Sequence, residues 1–218
     1  MSRLLDAAAL EASSVVANNA MNRERGLVGV NSYARDLGFD PVAYLASTGG
    51  SSWLDLCCGR GRALIEASEG FAGRIVGVDL VDFFDPVPPG RSNLRLTVAS
   101  LHEWQTDGAF DLITCVHGLH YVGDKLGVLR RAVGWLAPGG RFAANLDLAS
   151  VKGVPGVARV LRSCGLTYDA RRKLIGCAGP AAFELPYEYQ GADDAAGPNY
   201  TGQPAVDSYY RLAGGDGS

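Results

Sequence analysis

Two aspartates and a glycine-containing turn are the residues of this sequence best suited to chemistry. The segment Trp53-Leu-Asp-Leu-Cys-Cys-Gly-Arg-Gly-Arg62 places Asp55 in a predicted strand and Gly59 and Gly61 in the turn that follows. Asp79 ends a second predicted strand, Ile-Val-Gly-Val-Asp, twenty residues after Gly59. Glycines let a ligand approach the backbone because no Cβ intervenes, and a carboxylate at such a strand end can accept hydrogen bonds from ribose hydroxyls. The pattern predicts half of a nucleoside-binding site.

A dinucleotide is a poor match for this turn. Its fingerprint, Gly-x-Gly-x-x-Gly/Ala, requires a small third residue so that the helix can pack closely on the strand. Counted from Gly59 the third position is Leu64, and counted from Cys57 the first position is a cysteine. No Gly-Lys-Ser/Thr phosphate-binding signature follows a glycine-rich turn either. A nicotinamide-dependent oxidoreductase is therefore only a distant alternative.

The elements that must position these residues alternate between strands and helices from residue 51 onward. Apolar runs such as Leu112-Ile-Thr-Cys-Val116 suit strands that are buried on both faces of a parallel sheet. The alternation predicts an α/β fold, a three-layer sandwich around a mostly parallel, seven-stranded twisted sheet. Strands are predicted at 52–56, 74–78, 94–99, 110–115 and 141–146, with helices at 62–68 and 125–136.

Flanking segments complete the predicted organisation. Residues 1–50 are predicted to form an N-terminal helical cap over the site, with a first helix at 3–20 and a later one at 42–48. Residues 51–190 are predicted to form the core. Its last two strands, 166–175 and 182–189, lie too close together for a crossover helix, which favours a C-terminal antiparallel hairpin. Residues 191–218 are predicted to be a loop and tail.

One crossover in the core is predicted to be irregular. Between Asp79 and Leu94 the chain contains Pro86, Pro88 and Pro89. Proline removes a backbone donor and clashes with the preceding turn of a helix, so three prolines exclude a regular helix here. We expect a short loop, which would widen the pocket beside the nucleoside.

Taken together, the motifs resemble those of class I S-adenosylmethionine-dependent methyltransferases, a Rossmann-like superfamily. That family's acid followed by Gly-x-Gly-x-Gly stands here as Asp55-Leu-Cys-Cys-Gly-Arg-Gly61, with cysteine at the first glycine position. Asp79-Leu80 matches the ribose-binding acid and its adenine-facing neighbour. Phe110–Asp124 resembles the fourth-strand motif with its following turn, and Leu136–Phe142 resembles the turn before the fifth strand. The matches cover roughly residues 50–148.

The resemblance implies transfer of a methyl group from S-adenosylmethionine to an O, N or C atom of a small-molecule or peptide-like acceptor, without a metal. A catalytically silent protein that binds S-adenosylmethionine and acts through a partner is the alternative. It is supported by the short crossover and by Ala99-Ser100, where family members often carry an acid or amide beside adenine. The implied cofactor-binding residues are Tyr33, Asp55, Cys57, Gly59, Gly61, Asp79, Leu80, Ser100, Leu101 and His117.

His117 is the candidate catalytic residue, because it follows the fourth predicted strand and imidazole titrates in the range of a general base. His120, three residues later, is predicted to be structural. Arg23 or Arg25 in the cap could hold an acceptor carboxylate. Tyr200, in the C-terminal loop, could border the acceptor site.

Composition limits the remaining partners. A net charge of −3 offers no overall attraction for nucleic acid or anionic membranes. The five cysteines lack zinc-ligand spacing and are predicted to be free thiols in a reducing compartment. No apolar run approaches membrane-spanning length, and charged residues interrupt the first ten or so residues, which are not predicted to be a secretory signal. We expect a cytoplasmic monomer or homodimer that binds neither nucleic acid nor membrane.

Overall fold

The computed structural model describes residues 4–17 and 24–214. Within these ranges the predicted helix over 3–20 is replaced by two short helices separated by a turn. Side chains stabilise the starts of helices in this N-terminal segment. The carboxylate of Asp40, for example, accepts hydrogen bonds from the backbone N–H groups of Val42 and Ala43. Among the described residues, the helices before the first strand are α1 (Ala7–Glu11), α2 (Ser14–Ala17), α3 (Tyr33–Leu37) and α4 (Pro41–Thr48).

The core contains a seven-stranded, mostly parallel sheet with helices around it, which confirms the predicted fold class. In chain order its elements are β1 (Ser52–Leu56), α5 (Arg62–Gly70), β2 (Arg74–Asp79), β3 (Leu94–Val98), β4 (Phe110–Cys115), α6 (Lys125–Gly134) and β5 (Leu136–Asn145). They continue with β6 (Val151–Lys152), α7 (Val157–Ser163), β7 (Thr167–Asp169), β8 (Leu174–Ala178), β9 (Tyr187–Asp193) and β10 (Asp207–Leu212). The strand order of the large sheet is β3-β2-β1-β4-β5-β8-β7, and its first five strands are parallel.

The antiparallel hairpin exists, but its predicted strands are wrong. Residues 166–175, predicted as one strand, are divided by a turn in which Lys173 has a positive φ of 52°. The hairpin therefore forms between β7 and β8, and Thr167 pairs with Gly176. Residues 182–186 are not a strand. A pattern of apolar residues does not reveal a tight turn inside it, because charged residues such as Arg171 and Arg172 occur in exposed strands as well as in turns.

The C-terminal segment is more regular than the predicted loop. A second sheet has the order β6-β10-β9, so residues 191–193 and 207–212 are strands, and residues 194–206 between them are not. The N-terminal helices pack on this sheet. Leu5 exchanges backbone hydrogen bonds of 2.8 and 3.0 Å with Ala192, and Leu10 is buried in one cluster with Ala192 and Val206.

The strand order brings the predicted site residues together at the carboxyl ends of the strands of the large sheet. Because β1, β2 and β4 are parallel neighbours, the residues after Leu56, at Asp79 and after Cys115 meet at their carboxyl ends. The chain from 80 to 93 contains no helix, as the prolines predicted. No helix within the described ranges has the length and apolar character that crossing a bilayer requires.

Candidate active site

A cavity lies at the carboxyl ends of β1, β2, β3 and β4. Its walls come from the turn after β1, from the ends of β2 and β3, from the segment after β4, and from α1 and α2. The N-terminal helices therefore close the cavity from outside the sheet. Its lining includes Cys57, Gly59, Asp79, Leu80, Ala99, Leu101, His102, Val116, His117, Gly118, Tyr121, Val122, Ala7, Leu10, Glu11 and Val16.

Asp79 supplies a carboxylate to the cavity wall from the last position of β2. Its Oδ2 accepts a hydrogen bond from the backbone N–H of Gly59 at 2.8 Å, and its Oδ1 accepts one from Val81 at 3.3 Å. These bonds orient the carboxylate, which is 7% exposed. A carboxylate has about four lone-pair sites and can accept hydrogen bonds from several donors at once. The structure thus places Asp79 beside Leu80 in the cavity, where the sequence predicted a nucleoside.

The turn after β1 accommodates a cysteine at the first glycine position through a compensating glycine elsewhere. Cys57 has a positive φ of 56°, a conformation that non-glycine residues rarely adopt. Its side chain occupies space beside Gly118. A Cβ at Gly118 would lie 2.3 Å from the Cβ of Cys57, so the two positions cannot both carry side chains. A hydrogen bond with Cys115, followed by burial, raises the pKa of the Cys57 thiol, which therefore stays protonated.

Asp55 and Tyr33, both predicted to contact a cofactor, are not among the residues that line the cavity. The Tyr33 hydroxyl donates to Asp55 Oδ2 at 2.7 Å, and the Thr114 hydroxyl donates to Asp55 Oδ1. Trp53 Nε1 in turn donates to Thr114 at 2.8 Å. Burial raises the pKa of Asp55 to about 7, and the charge of Asp79 also raises it, against the lowering effect of the two hydrogen bonds. The buried cluster connects α3 to β1 and β4.

Two further predicted contacts lie outside the cavity wall. Gly61, with a φ of 74°, is the N-cap residue immediately before α5, and a Cβ there would lie 2.8 Å from Leu96 Cδ1, so it serves helix–strand packing. Ser100 lines an outer groove beside α1, which shares Glu11 with the cavity, while the neighbouring Leu101 lines the cavity itself. Cys57, Gly59, Asp79, Leu80, Leu101 and His117 are the predicted cofactor contacts that the structure brings together.

His117 lines the cavity and is held by residues from two other parts of the chain. Its backbone N–H donates to Asn145 Oδ1 at 3.2 Å, and its Nε2 lies 3.2 Å from Asp36 Oδ2. Arg25 Nε donates to the same carboxylate oxygen at 2.7 Å. Burial opposes ionisation of Asp36, yet its bonds to His117 and Arg25 hold its pKa below the ordinary value. The histidine is 6% exposed, and its Nδ1 has no hydrogen-bond partner among the described residues.

Asp36 determines the tautomer of His117. An ionised carboxylate can only accept, so the Nε2 atom that faces it carries the hydrogen. The neutral ring then keeps its lone pair on Nδ1, the nitrogen that can receive a proton. Asp36 is not predicted from the sequence, because no signal in the sequence connects it with His117. Arg25, predicted to hold an acceptor carboxylate, is instead engaged with Asp36, and Arg23 lies outside the described residues.

Two aromatic rings, those of His120 and Tyr200, lie near the ring of His117. The ring of Tyr200, from the loop at 194–206, lies 6.2 Å from that of His117 and 5.4 Å from that of His120, centroid to centroid. Burial, together with the nearby His117, lowers the pKa of His120 to about 3, so this ring is neutral. Residues of the cap and of the C-terminal loop thus approach the end of β4 from opposite ends of the chain.

A parallel α/β sheet with a carboxylate at the end of its second strand and a cavity over the strand ends defines a nucleoside-binding protein of the doubly wound class. Comparison with known proteins identifies the family more narrowly. The family model described as a methyltransferase domain matches residues 30–177, more than half of the chain, and the chain belongs to this family. A search among curated proteins gives no match.

Solved structures of similar fold include three methyltransferases. The SAM-bound amino pentose methyltransferase CalS10 from Micromonospora echinaspora is 22% identical over 49% of this chain and 49% of its own, with a TM-score of 0.41. The N-methyltransferase NodS from Bradyrhizobium japonicum, in complex with S-adenosyl-L-homocysteine, is 20% identical over 64% and 84%, with a TM-score of 0.45. The plantazolicin methyltransferase BpumL with SAH is 13% identical over 61% and 50%, with a TM-score of 0.42. The chain spans about half the length of CalS10.

Proposed function

We propose that this protein transfers a methyl group from S-adenosylmethionine to an O, N or C atom of a small-molecule or peptide-like acceptor. The observation that carries the proposal is the cavity over the strand ends, with Asp79 in its wall, in a chain of the methyltransferase domain family. S-adenosylmethionine supplies a methyl group that is already activated on a sulfonium, so the protein mainly has to align the acceptor with it.

The described residues fit this cofactor. Asp79 offers carboxylate oxygens to the ribose hydroxyls, and Leu80 and Leu101 provide apolar surface for the base. Cys57 and Gly59 present the turn after β1 to the remainder of the molecule. The cavity thus combines one oriented anionic group with mainly apolar walls, which is the composition expected of a nucleoside pocket.

His117 is proposed to act as the general base for an acceptor that must lose a proton. Its Nδ1, which is buried and has no hydrogen-bond partner among the described residues, would receive that proton, because Nε2 carries a hydrogen directed at Asp36. The Asp36 carboxylate would then stabilise the imidazolium that forms, in the way an aspartate supports a histidine base elsewhere. A hydroxyl or an amine N–H is the kind of acceptor that benefits from such a base.

Titration calorimetry with S-adenosylmethionine and S-adenosylhomocysteine tests the cofactor assignment. Binding of both ligands is expected, and the lack of heat at millimolar concentration would contradict the proposal. A screen of host extract with methyl-labelled cofactor then tests transfer. Cofactor binding without labelling of any extract component would instead favour the catalytically silent alternative. Stabilisation by a nicotinamide cofactor in a thermal-shift comparison would favour the oxidoreductase.

We also propose that the protein acts in the cytoplasm on a substrate other than nucleic acid, as a monomer or homodimer. All five cysteines are free, which suits a reducing compartment, and the net charge of −3 disfavours binding to polyanions. Fractionation of host cells with an antibody against the protein tests the location. Light scattering of the purified protein measures the oligomeric state.

A further inference from the structure

Glu11, the last residue of α1, brings a second carboxylate to the wall of the cavity. It lines the cavity together with Asp79, Leu80 and Leu101, although it lies 68 to 90 residues before them in the sequence. It is half-buried, on the side of the cavity formed by the end of β3. No spacing rule of the strand–turn–helix motif could have identified it, because it belongs to a helix outside the sheet.

A short chain of hydrogen bonds orients the Glu11 carboxylate. The backbone N–H of His102 donates to Ser100 Oγ at 3.0 Å, and Ser100 Oγ donates to Glu11 Oε1 at 2.5 Å. Because its single hydroxyl hydrogen is used in this way, Ser100 cannot also donate it to a ligand. Among the described residues no hydrogen bond engages Glu11 Oε2. The carboxylate is thus held from one side and retains an oxygen that can accept from a ligand.

The helix that carries Glu11 is anchored firmly enough to position it. Asp6 caps α1 by accepting a hydrogen bond from the backbone N–H of Ala9 at 2.9 Å. Leu10 is buried against Ala192 and Val206, and the backbone of Leu5 is paired with that of Ala192. The lid formed by α1 is therefore attached to the small C-terminal sheet as well as to the end of β3.

We propose that Glu11 accepts a hydrogen bond from the exocyclic amino group of the adenine of the bound cofactor. This inference rests on the proposed function. Asp79, at the end of β2, is assigned to the ribose, and Glu11 with Ser100 stands at the end of β3, the next strand of the sheet. The apolar side chains of Leu80 and Leu101 lie in the same wall and suit the faces of a purine. The Glu11 carboxylate, beyond these two side chains, would then accept from the amino group at the edge of the adenine ring.

Binding measurements with two ligands isolate this contact. Calorimetry would compare S-adenosylhomocysteine with the analogue whose purine lacks the 6-amino group, on the wild type and Glu11→Ala. A hydrogen bond to a charged acceptor contributes about 1.5–3 kcal/mol, so the wild type should prefer S-adenosylhomocysteine by about tenfold or more. Glu11→Ala should weaken the binding of S-adenosylhomocysteine about tenfold and change the affinity for the analogue no more than about twofold. The preference for S-adenosylhomocysteine should therefore disappear.

Two further variants serve as controls. Glu103→Ala removes an exposed carboxylate that shares the outer groove with Glu11 but does not line the cavity, and the preference should persist. Ser100→Ala leaves Glu11 in place without its oriented partner and should reduce the preference by roughly threefold, a fraction of a hydrogen bond. Thermal unfolding of each variant checks that α1 remains packed.

Three outcomes would overturn the inference. Equal weakening of both ligands by Glu11→Ala would mean that Glu11 only holds the lid closed. An unchanged preference in that variant would mean that the amino group binds elsewhere. Binding of neither ligand by the wild type would refute the cofactor assignment itself and this inference with it, a result that the first two outcomes cannot mimic.

Discussion

Asp36 Oδ2 and His117 Nε2 lie 3.2 Å apart and join the N-terminal cap to the end of β4. The contact uses the same carboxylate oxygen that accepts from Arg25. The cap therefore does more than cover the sheet, since it supplies the group that sets the tautomer of the candidate base. The proposed acceptor site is complete only when α3 is packed in place.

Replacing His117 by glutamine should reduce the rate of methyl transfer while cofactor binding persists. General-base catalysis contributes about 10²- to 10⁴-fold, and kcat is expected to fall within that range. Asp36→Asn, which keeps the shape but not the charge, should lower kcat by about tenfold because Asp36 acts through His117. A labelled-methyl assay with the acceptor found in the screen measures kcat, and calorimetry with S-adenosylhomocysteine measures affinity.

Affinity serves as the control for these two variants. It should stay within about threefold of the wild type, since glutamine keeps a polar side chain in the cavity wall, and loss of an interaction made only in the transition state lowers kcat but leaves ground-state binding intact. A His117→Gln enzyme with the full rate would remove the base from the proposal. Equal losses of rate and affinity would instead indicate a collapsed cavity.

Asp79→Asn should weaken binding of S-adenosylhomocysteine by about tenfold or more. The substitution keeps one acceptor oxygen but replaces the other with an N–H₂ group, and hydrogen bonds to a charged acceptor contribute about 1.5–3 kcal/mol. Asp82→Asn is the matched control, because Asp82 is exposed and does not line the cavity. Calorimetry on both variants checks the prediction, and similar affinities would refute the assignment of Asp79 to the ribose.

The pKa of Asp55, raised to about 7 from an ordinary value of 3.8, predicts a dependence of stability on pH. The folded protein holds the proton up to about pH 7 while the unfolded chain releases it near pH 4, so the contribution of Asp55 to stability falls as pH rises between these values. Asp55→Asn cannot ionise and should flatten this part of the profile. Urea unfolding at several pH values measures it, and an unchanged slope would contradict the buried-acid account.

The titration of Lys125 should have the opposite effect at higher pH, where it should make the stability of the protein rise as the pH rises. Burial lowers its pKa to about 7, while its Nζ donates to the Val206 carbonyl at 2.6 Å and to Ser208 Oγ at 2.7 Å. Because the unfolded chain keeps the proton up to about pH 10, the folded state binds fewer protons between pH 7 and 10, and stability should rise over that interval.

The Lys125→Met variant tests this second slope. Methionine has a similar length and no charge, so the rise between pH 7 and 10 should disappear from its unfolding free energy. The variant also leaves two acceptors without their donor, at a cost of about 1–3 kcal/mol each. Its free energy of unfolding should therefore be lower than that of the wild type as well as less dependent on pH. A rise that persists in Lys125→Met would assign the effect to another group.

Local sequence patterns predicted those parts of the fold that depend on residues close together in the chain. Apolar runs bounded by glycine and charged residues located β1 to β4 to within one residue, whereas β5 begins at Leu136, five residues before its predicted start. Three prolines correctly excluded a helix between Asp79 and Leu94. The strands of the hairpin were misplaced because a turn and an exposed strand can carry the same polar residues. The strand at Asp207–Leu212 was missed because its pairing with β6 and β9 links distant segments.

The candidate site, too, combines features that a short segment of the sequence predicts with features that depend on contacts between distant segments. The sequence by itself determined that a glycine turn follows β1 and that a carboxylate ends β2, since both features belong to one strand–turn–helix–strand unit. Only the tertiary structure decided that Asp55 is buried with Tyr33 rather than exposed to a ligand. It also decided that Gly118 makes room for Cys57, and that Glu11 and Asp36 reach the site. These contacts join residues far apart in the chain, and burial and packing, which select them, are properties of the assembled core rather than of any short segment.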